Sequence, residues 1–65
     1  MNNQEKQELR ETAQSWKDNA ELFKGMANTK NKDLSYGFNS IARTFETNAM
    51  ILEALVKDVK IHVNF

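Results

Sequence analysis

The sequence predicts an all-α protein, an antiparallel two-helix hairpin that assembles into a dimeric four-helix bundle. Proline is absent, and only two glycines occur among 65 residues. Along two long segments the apolar residues recur alternately every four and every three positions, which places them on one face of a helix. A single short polar segment separates these two patterns, and helices joined by a short linker pack as antiparallel neighbours.

The first helix is predicted over about residues 3–27. Asn2 followed three residues later by Glu5 has the form of a capping box, which marks a helix N-terminus. Small residues alternate with large ones along the stripe, so that alanines admit close approach of a second helix and larger side chains fill the gaps opposite. The stripe consists of Leu9, Ala13, Trp16, Ala20, Phe23 and Ala27.

A polar linker over 28–33 precedes a second helix, predicted over about 33–60 and capped by Asn31 or Asp33. Gly37 costs about 1 kcal/mol relative to alanine and marks a kink or a later start near Asn39. The tail 61–65 is interpreted as a frayed last turn. The stripe of the second helix consists of Phe38, Ala42, Phe45, Ala49, Leu52, Val56, Val59 and Val63, widened on one flank by Leu34, Ile41 and Leu55.

The length of the chain limits what its own core can supply. A single small domain of this size gains about 3–5 kcal/mol from its core and usually needs a disulfide, a metal or a partner. Cysteine is absent, so disulfides and thiolate metal sites are excluded, and one histidine, His62, excludes a multi-histidine centre. Self-association or binding to another protein is therefore expected.

Charge and composition point to a cytoplasmic protein without membrane association. Lys plus Arg and Asp plus Glu both total nine, so no net charge attracts nucleic acid or acidic lipid. The first twenty residues are polar, unlike a signal peptide, and no apolar run approaches the roughly 18 residues of a membrane span. Frequent Asn and Lys with rare Arg suggest an AT-rich genome, such as that of a low-GC bacterium or its phage.

No pattern of residues predicts catalysis, and no catalytic, cofactor or metal site is assigned. The sequence has no cysteine nucleophile, no glycine-framed serine, no glycine-rich phosphate loop and no Glu-x-x-His pair. The glutamates fall outside the apolar stripe, as on a solvated surface. A non-enzyme without a small-molecule substrate is therefore predicted.

The segment 49–56 carries the clearest functional signal, because seven of its eight residues are apolar. A hairpin buries only one stripe of such a segment. Met50, Ile51 and Ala54 point away from that stripe, and Tyr36 lies on the same broad face, so these four residues are predicted to bind a partner. We call them the outer patch. The predicted function is a regulator or inhibitor, phage- or plasmid-borne, that binds a larger protein.

Two alternatives remain open. Lys24, Lys30 and Lys32 form a small positive cluster near the linker, and in size and predicted architecture the chain resembles the plasmid-encoded RNA-binding Rop proteins. The resemblance implies an RNA- or DNA-binding dimer of hairpins, although three lysines per chain bind weakly at physiological salt. The other alternative is a structural subunit of a larger assembly.

Two further groups of residues have expected structural roles. Trp16, Phe23, Phe38 and Phe45 share the stripe positions and are expected in the core. Asn19 and Asn48 lie beside the stripe, where they fix the register between helices or form part of a polar boundary.

Overall fold

A computed structural model describes residues 1–57 and confirms the all-helical hairpin. Helix α1 spans Asn3–Met26 and helix α2 spans Lys32–Val56. The two helices pack against each other along their length. The predicted end of the second helix near residue 60 and the predicted tail 61–65 lie outside the described residues.

The start of α1 is fixed by the predicted capping box. The side-chain oxygen of Asn2 accepts a hydrogen bond of 2.8 Å from the backbone N–H of Glu5, and the Glu5 carboxylate accepts one of 3.5 Å from the backbone N–H of Asn2. At the other end, the N–H of Ala27 donates to the carbonyl of Phe23. Glu5 in the first turn and Lys24 in the last turn complement the helix dipole.

The cap of α2 is Asn31, the first of the two predicted candidates. Its side-chain oxygen accepts hydrogen bonds from the backbone N–H groups of Asp33, at 3.0 Å, and Leu34, at 3.2 Å. The helix therefore begins at Lys32, and it continues without interruption through Gly37. The alternative start near Asn39 is wrong because the Asn31 cap satisfies the first turn well before that residue.

The buried core of the hairpin consists mainly of alanine. Small residues at the seam let the two helices approach closely, and the large stripe residues then lie along the side of the seam. Trp16, Phe23, Phe38 and Phe45 are consequently only half-buried. The buried apolar residues of the described chain are Ala13, Ala20, Ala27, Ala42, Ala49 and Val56.

Candidate protein-interaction surfaces

One face of the hairpin is charged and internally paired. The apolar stripes that meet where the two helices pack are called the seam stripes. Four charged residues each directly follow a large residue of a seam stripe: Lys17 and Lys24 on α1, and Glu46 and Glu53 on α2. Lys17 Nζ lies 2.9 Å from a carboxylate oxygen of Glu53, and Lys24 Nζ lies 2.5 Å from Oε1 of Glu46. We call this side the charged face. Each ion pair joins a lysine of α1 to a glutamate of α2, so positive side chains lie opposite negative ones where the two helices meet.

Lys24 is the most strongly engaged of these cations. Its Nζ also lies 3.6 Å from Glu21, and hydrogen bonding to Glu46 raises the pKa of Lys24 above its ordinary value of 10.5. Oε1 of Glu46 is shielded from water, and the ammonium group of Lys24 supplies its partner. Because the side chains are partly exposed, solvent screens the pair and limits its contribution to stability.

The opposite side of the seam carries a row of aromatic residues. The ring of Phe23 contacts that of Phe38 at a centroid distance of 6.0 Å and that of Phe45 at 5.8 Å. Trp16 and Phe45, together with the neighbouring Asn48, line a shallow open depression of about 340 Å³. The three phenylalanines expected in the core are therefore joined through Phe23, but the hairpin alone does not cover them or Trp16.

A second stripe runs along α2 beside the aromatic row. Each of its residues directly precedes a residue of the seam stripe, so the second stripe lies about 100° around the helix. Ile41 is 41% exposed, Ile51 39% and Leu55 41%. None of its members is charged. The second stripe consists of Gly37, Ile41, Thr44, Asn48, Ile51 and Leu55.

The sequence contains a signal for this second stripe, which the prediction of one apolar stripe per helix does not use. Its spacing is the same alternation of four and three residues as the seam stripe, shifted by one position. The predicted single stripe places Ile41 and Leu55 on its flank and Asn48 at its border. Sequence alone does not show how narrow the buried contact between two alanine-lined helices is. It therefore does not show how much of the flank the hairpin leaves exposed.

The corresponding stripe of α1 is more polar. It carries one charge, at Glu8 near the start of the helix, and its apolar members lie toward the linker. We call the side formed by the aromatic row, the second stripe of α2 and the α1 stripe from Thr12 onward the uncharged face. The α1 stripe consists of Glu8, Thr12, Ser15, Asn19, Leu22 and Met26.

The outer patch divides between two sides of α2. Tyr36 is 77% exposed and Met50 is 68% exposed, while Ala54 is half-buried beside Met50. Ile51 borders an open depression with Met50 and Ala54, but it is also a member of the second stripe. Binding of a partner by these four residues stays a prediction, and Ile51 lies where the outer patch meets the second stripe.

The lysines of the nucleic-acid alternative have different surroundings. Lys24 is held by Glu46 and Glu21. Lys30 is exposed in the segment that connects the two helices, and Lys32, the first residue of α2, is also exposed. The ion pairs of Lys24 therefore reduce the positive charge that this cluster presents to a phosphate backbone.

Within residues 1–57, no three His, Cys, Asp or Glu side chains are grouped so that they could hold a metal ion. Neither α1 nor α2 is long and apolar enough to cross a membrane. Comparison of the chain with known protein families, curated proteins and solved structures finds no match.

Proposed function

We propose that this chain is a non-enzymatic protein-interaction module that self-associates into a dimeric four-helix bundle and regulates or inhibits a larger protein by binding it. The observation that carries the proposal is the uncharged face. There, half-buried aromatic side chains lie beside the exposed side chains of Ile41, Ile51 and Leu55.

The buried core of the hairpin is small. Alanines at the seam remove little apolar surface from water, whereas each large side chain gains roughly 1.5–3 kcal/mol on full burial. Most of the large apolar side chains of the hairpin are at best half-buried. Stable domains bury such a face against another layer of secondary structure. Covering the uncharged face therefore supplies the stabilisation that a chain of 65 residues lacks.

A second copy of the chain suits this face. The residues of the uncharged face bear no charge between Thr12 and Met26 on α1 or between Gly37 and Leu55 on α2. Two identical faces therefore meet without like-charge repulsion. The charged faces, with their ion pairs already formed within each hairpin, then lie on the outside of the bundle in contact with water.

The outer patch supplies the contact with a different protein. Tyr36, Met50 and Ala54 lie away from the uncharged face, so dimerisation leaves them accessible. An exposed methionine is unbranched and adapts to the shape of a partner, and apolar anchors on one helix face are typical of helix-in-groove recognition. The small size and the composition rich in Asn and Lys suit a phage- or plasmid-borne regulator.

The nucleic-acid alternative receives less support because Lys24 is engaged by two carboxylates. A structural subunit would use the same uncharged face, and it differs from the proposed regulator only in the partner of the outer patch.

Thermal unfolding at several protein concentrations tests the self-association. A chain that is stabilised by a second copy melts at a higher temperature as its concentration rises. Replacing Ile41 by glutamate places a charge in the uncharged face, and it should lower the melting temperature and weaken its concentration dependence. Replacing Ser40 by glutamate adds the same charge outside that face, on an exposed position next in sequence, and should leave the concentration dependence in place.

A further inference from the structure

We infer that the dimer is built on α2, which packs antiparallel against α2 of the second copy through the second stripe. In this arrangement Ile41 faces the partner's Ile51, Gly37 faces the partner's Leu55, and Thr44 faces the partner's Asn48. The inference rests on the proposed self-association and specifies which helix forms the contact and in which register.

The geometry of a twofold dimer restricts the choice. Two hairpins that stack their uncharged faces about a twofold axis can place α2 on α2 and α1 on α1, or α2 on α1 of the partner. In both arrangements the stacked helices are antiparallel. The two possibilities therefore differ in which stripes meet, and the composition of the stripes decides between them.

The composition of the stripes favours contact between like helices. The second stripe of α2 offers Ile41, Ile51 and Leu55, whereas that of α1 offers Thr12, Ser15 and Asn19 over most of its length. Placing α2 on α1 would bury apolar side chains against polar ones. Placing α2 on α2 buries the most apolar stripe against itself.

Twofold symmetry makes the contacts reciprocal, and the residues of the second stripe then select the register. In such an isologous contact, when a residue of one copy faces a different residue of the partner, the same two residues also face each other with the copies exchanged. A twofold axis midway between Thr44 and Asn48 pairs Ile41 with the partner's Ile51. It also pairs Gly37, the smallest residue of the stripe, with the partner's Leu55. Every position of the second stripe then meets a residue of compatible size and polarity.

This register gives Gly37 a role that the single hairpin does not. Glycine is a poorer helix former than any residue except proline, yet Gly37 lies inside α2. A Cβ added there would meet no atom of the chain within 4 Å, and the backbone does not require glycine. In the proposed dimer the partner's Leu55 packs close to the backbone of α2 at this position. Glycine leaves room for it because glycine has no side chain.

The central polar pair is also compatible with a buried contact. The hydroxyl of Thr44 donates to the carbonyl of Ser40 at 3.1 Å, so its oxygen remains able to accept from the partner's Asn48 amide. A polar asparagine in an otherwise apolar helix contact specifies register and oligomeric state. Asn48 is therefore assigned as the residue that fixes the register of this dimer.

Cysteine cross-linking tests the pairing directly, because the chain contains no cysteine of its own. The double variant Ile41→Cys/Ile51→Cys should form a covalent dimer on mild oxidation, as should Gly37→Cys/Leu55→Cys. Ten or more residues separate the two cysteines along the rigid α2, so they cannot bond within one chain. The matched control is Ser40→Cys/Met50→Cys, which has the same spacing of ten residues on the exposed outer side and should stay uncross-linked.

The outcomes separate this inference from the proposed function. If the unmodified chain is a dimer by mass and neither test pair cross-links above the control, the α2–α2 pairing is wrong while self-association stands. Cross-linking of Ile41→Cys chains with Met26→Cys chains would indicate instead that α2 packs on the partner's α1. If the unmodified chain is a monomer, both the self-association and this pairing fail.

Discussion

The aromatic ring of Phe23 on α1 stacks on that of Phe45 on α2, with centroids 5.8 Å apart and ring planes inclined by 14°. This contact links the two helices, and Phe38 extends it at 6.0 Å from Phe23. All three rings are nonetheless half-buried. The row holds the hairpin together on one side and presents an apolar surface on the other.

Truncation of Phe45 tests whether that surface is covered in solution. We expect Phe45→Ala to lower the free energy of unfolding by about 3–5 kcal/mol, the cost typical of a phenylalanine in a closed core. Tyr36→Ala, at an exposed position, should change it by no more than about 0.5 kcal/mol. Chemical denaturation followed by circular dichroism measures both. A cost near 1 kcal/mol for Phe45→Ala would mean that the aromatic row stays in contact with water.

The ion pair between Lys24 and Glu46 predicts a pH dependence at high pH. Because the folded chain raises the pKa of Lys24 above 10.5, folding favours the protonated amine. The stabilisation is fully present below 10.5 and is lost as the pH rises through the folded-state value. We expect Lys24→Met and Glu46→Gln each to flatten the decline in melting temperature above pH 10.5. An unchanged decline in both variants would show that the pair is absent in solution.

The two glycines provide a matched pair of substitutions. Neither Gly25 nor Gly37 has an atom of the chain within 4 Å of where a Cβ would stand, so alanine should favour the helix by up to about 1 kcal/mol at either. We expect Gly25→Ala to raise the melting temperature. Gly37→Ala should gain less or lose stability, because its methyl group meets the partner's Leu55. Equal stabilisation by both alanines would contradict close approach at Gly37.

Met50 and Ile51 are adjacent in sequence but are expected to serve different contacts. Ile51→Lys should weaken the dimer, since Ile51 belongs to the second stripe, and analytical ultracentrifugation should show more monomer. Met50→Glu should leave the mass unchanged and reduce binding to the larger protein partner. Helicity should persist in both. If Met50→Glu dissociates the dimer and Ile51→Lys does not, the assignment of the two sides of α2 is reversed.

The hairpin was predictable from sequence because local signals agreed with each other. The capping box of Asn2 and Glu5, the cap at Asn31 and the alternation of four and three residues all indicate the same two helices. The choice between the caps at Asn31 and Asp33 was not predictable, since either residue type is suitable. The pairing of Glu53 with Lys17 depends on the contact between the helices, which spacing along one helix does not show.

The candidate surface was predictable only in part. Sequence indicated that α2 has more apolar residues than one seam can bury, and Tyr36 and Met50 are indeed exposed. It did not indicate that large residues of the predicted core, such as Trp16, would remain half-buried. That outcome depends on how closely alanine seams bring the helices together, which is a property of the packed pair and not of either helix alone.

The mass of the chain in solution tests the central claim most directly. Sedimentation equilibrium at micromolar concentration should give twice the chain mass of 7.5 kDa, and dilution should shift the population toward monomer because the contact is reversible. A mass of 7.5 kDa at every concentration, together with a cooperative melt whose midpoint does not change with concentration, would contradict the claim that a second copy covers the uncharged face.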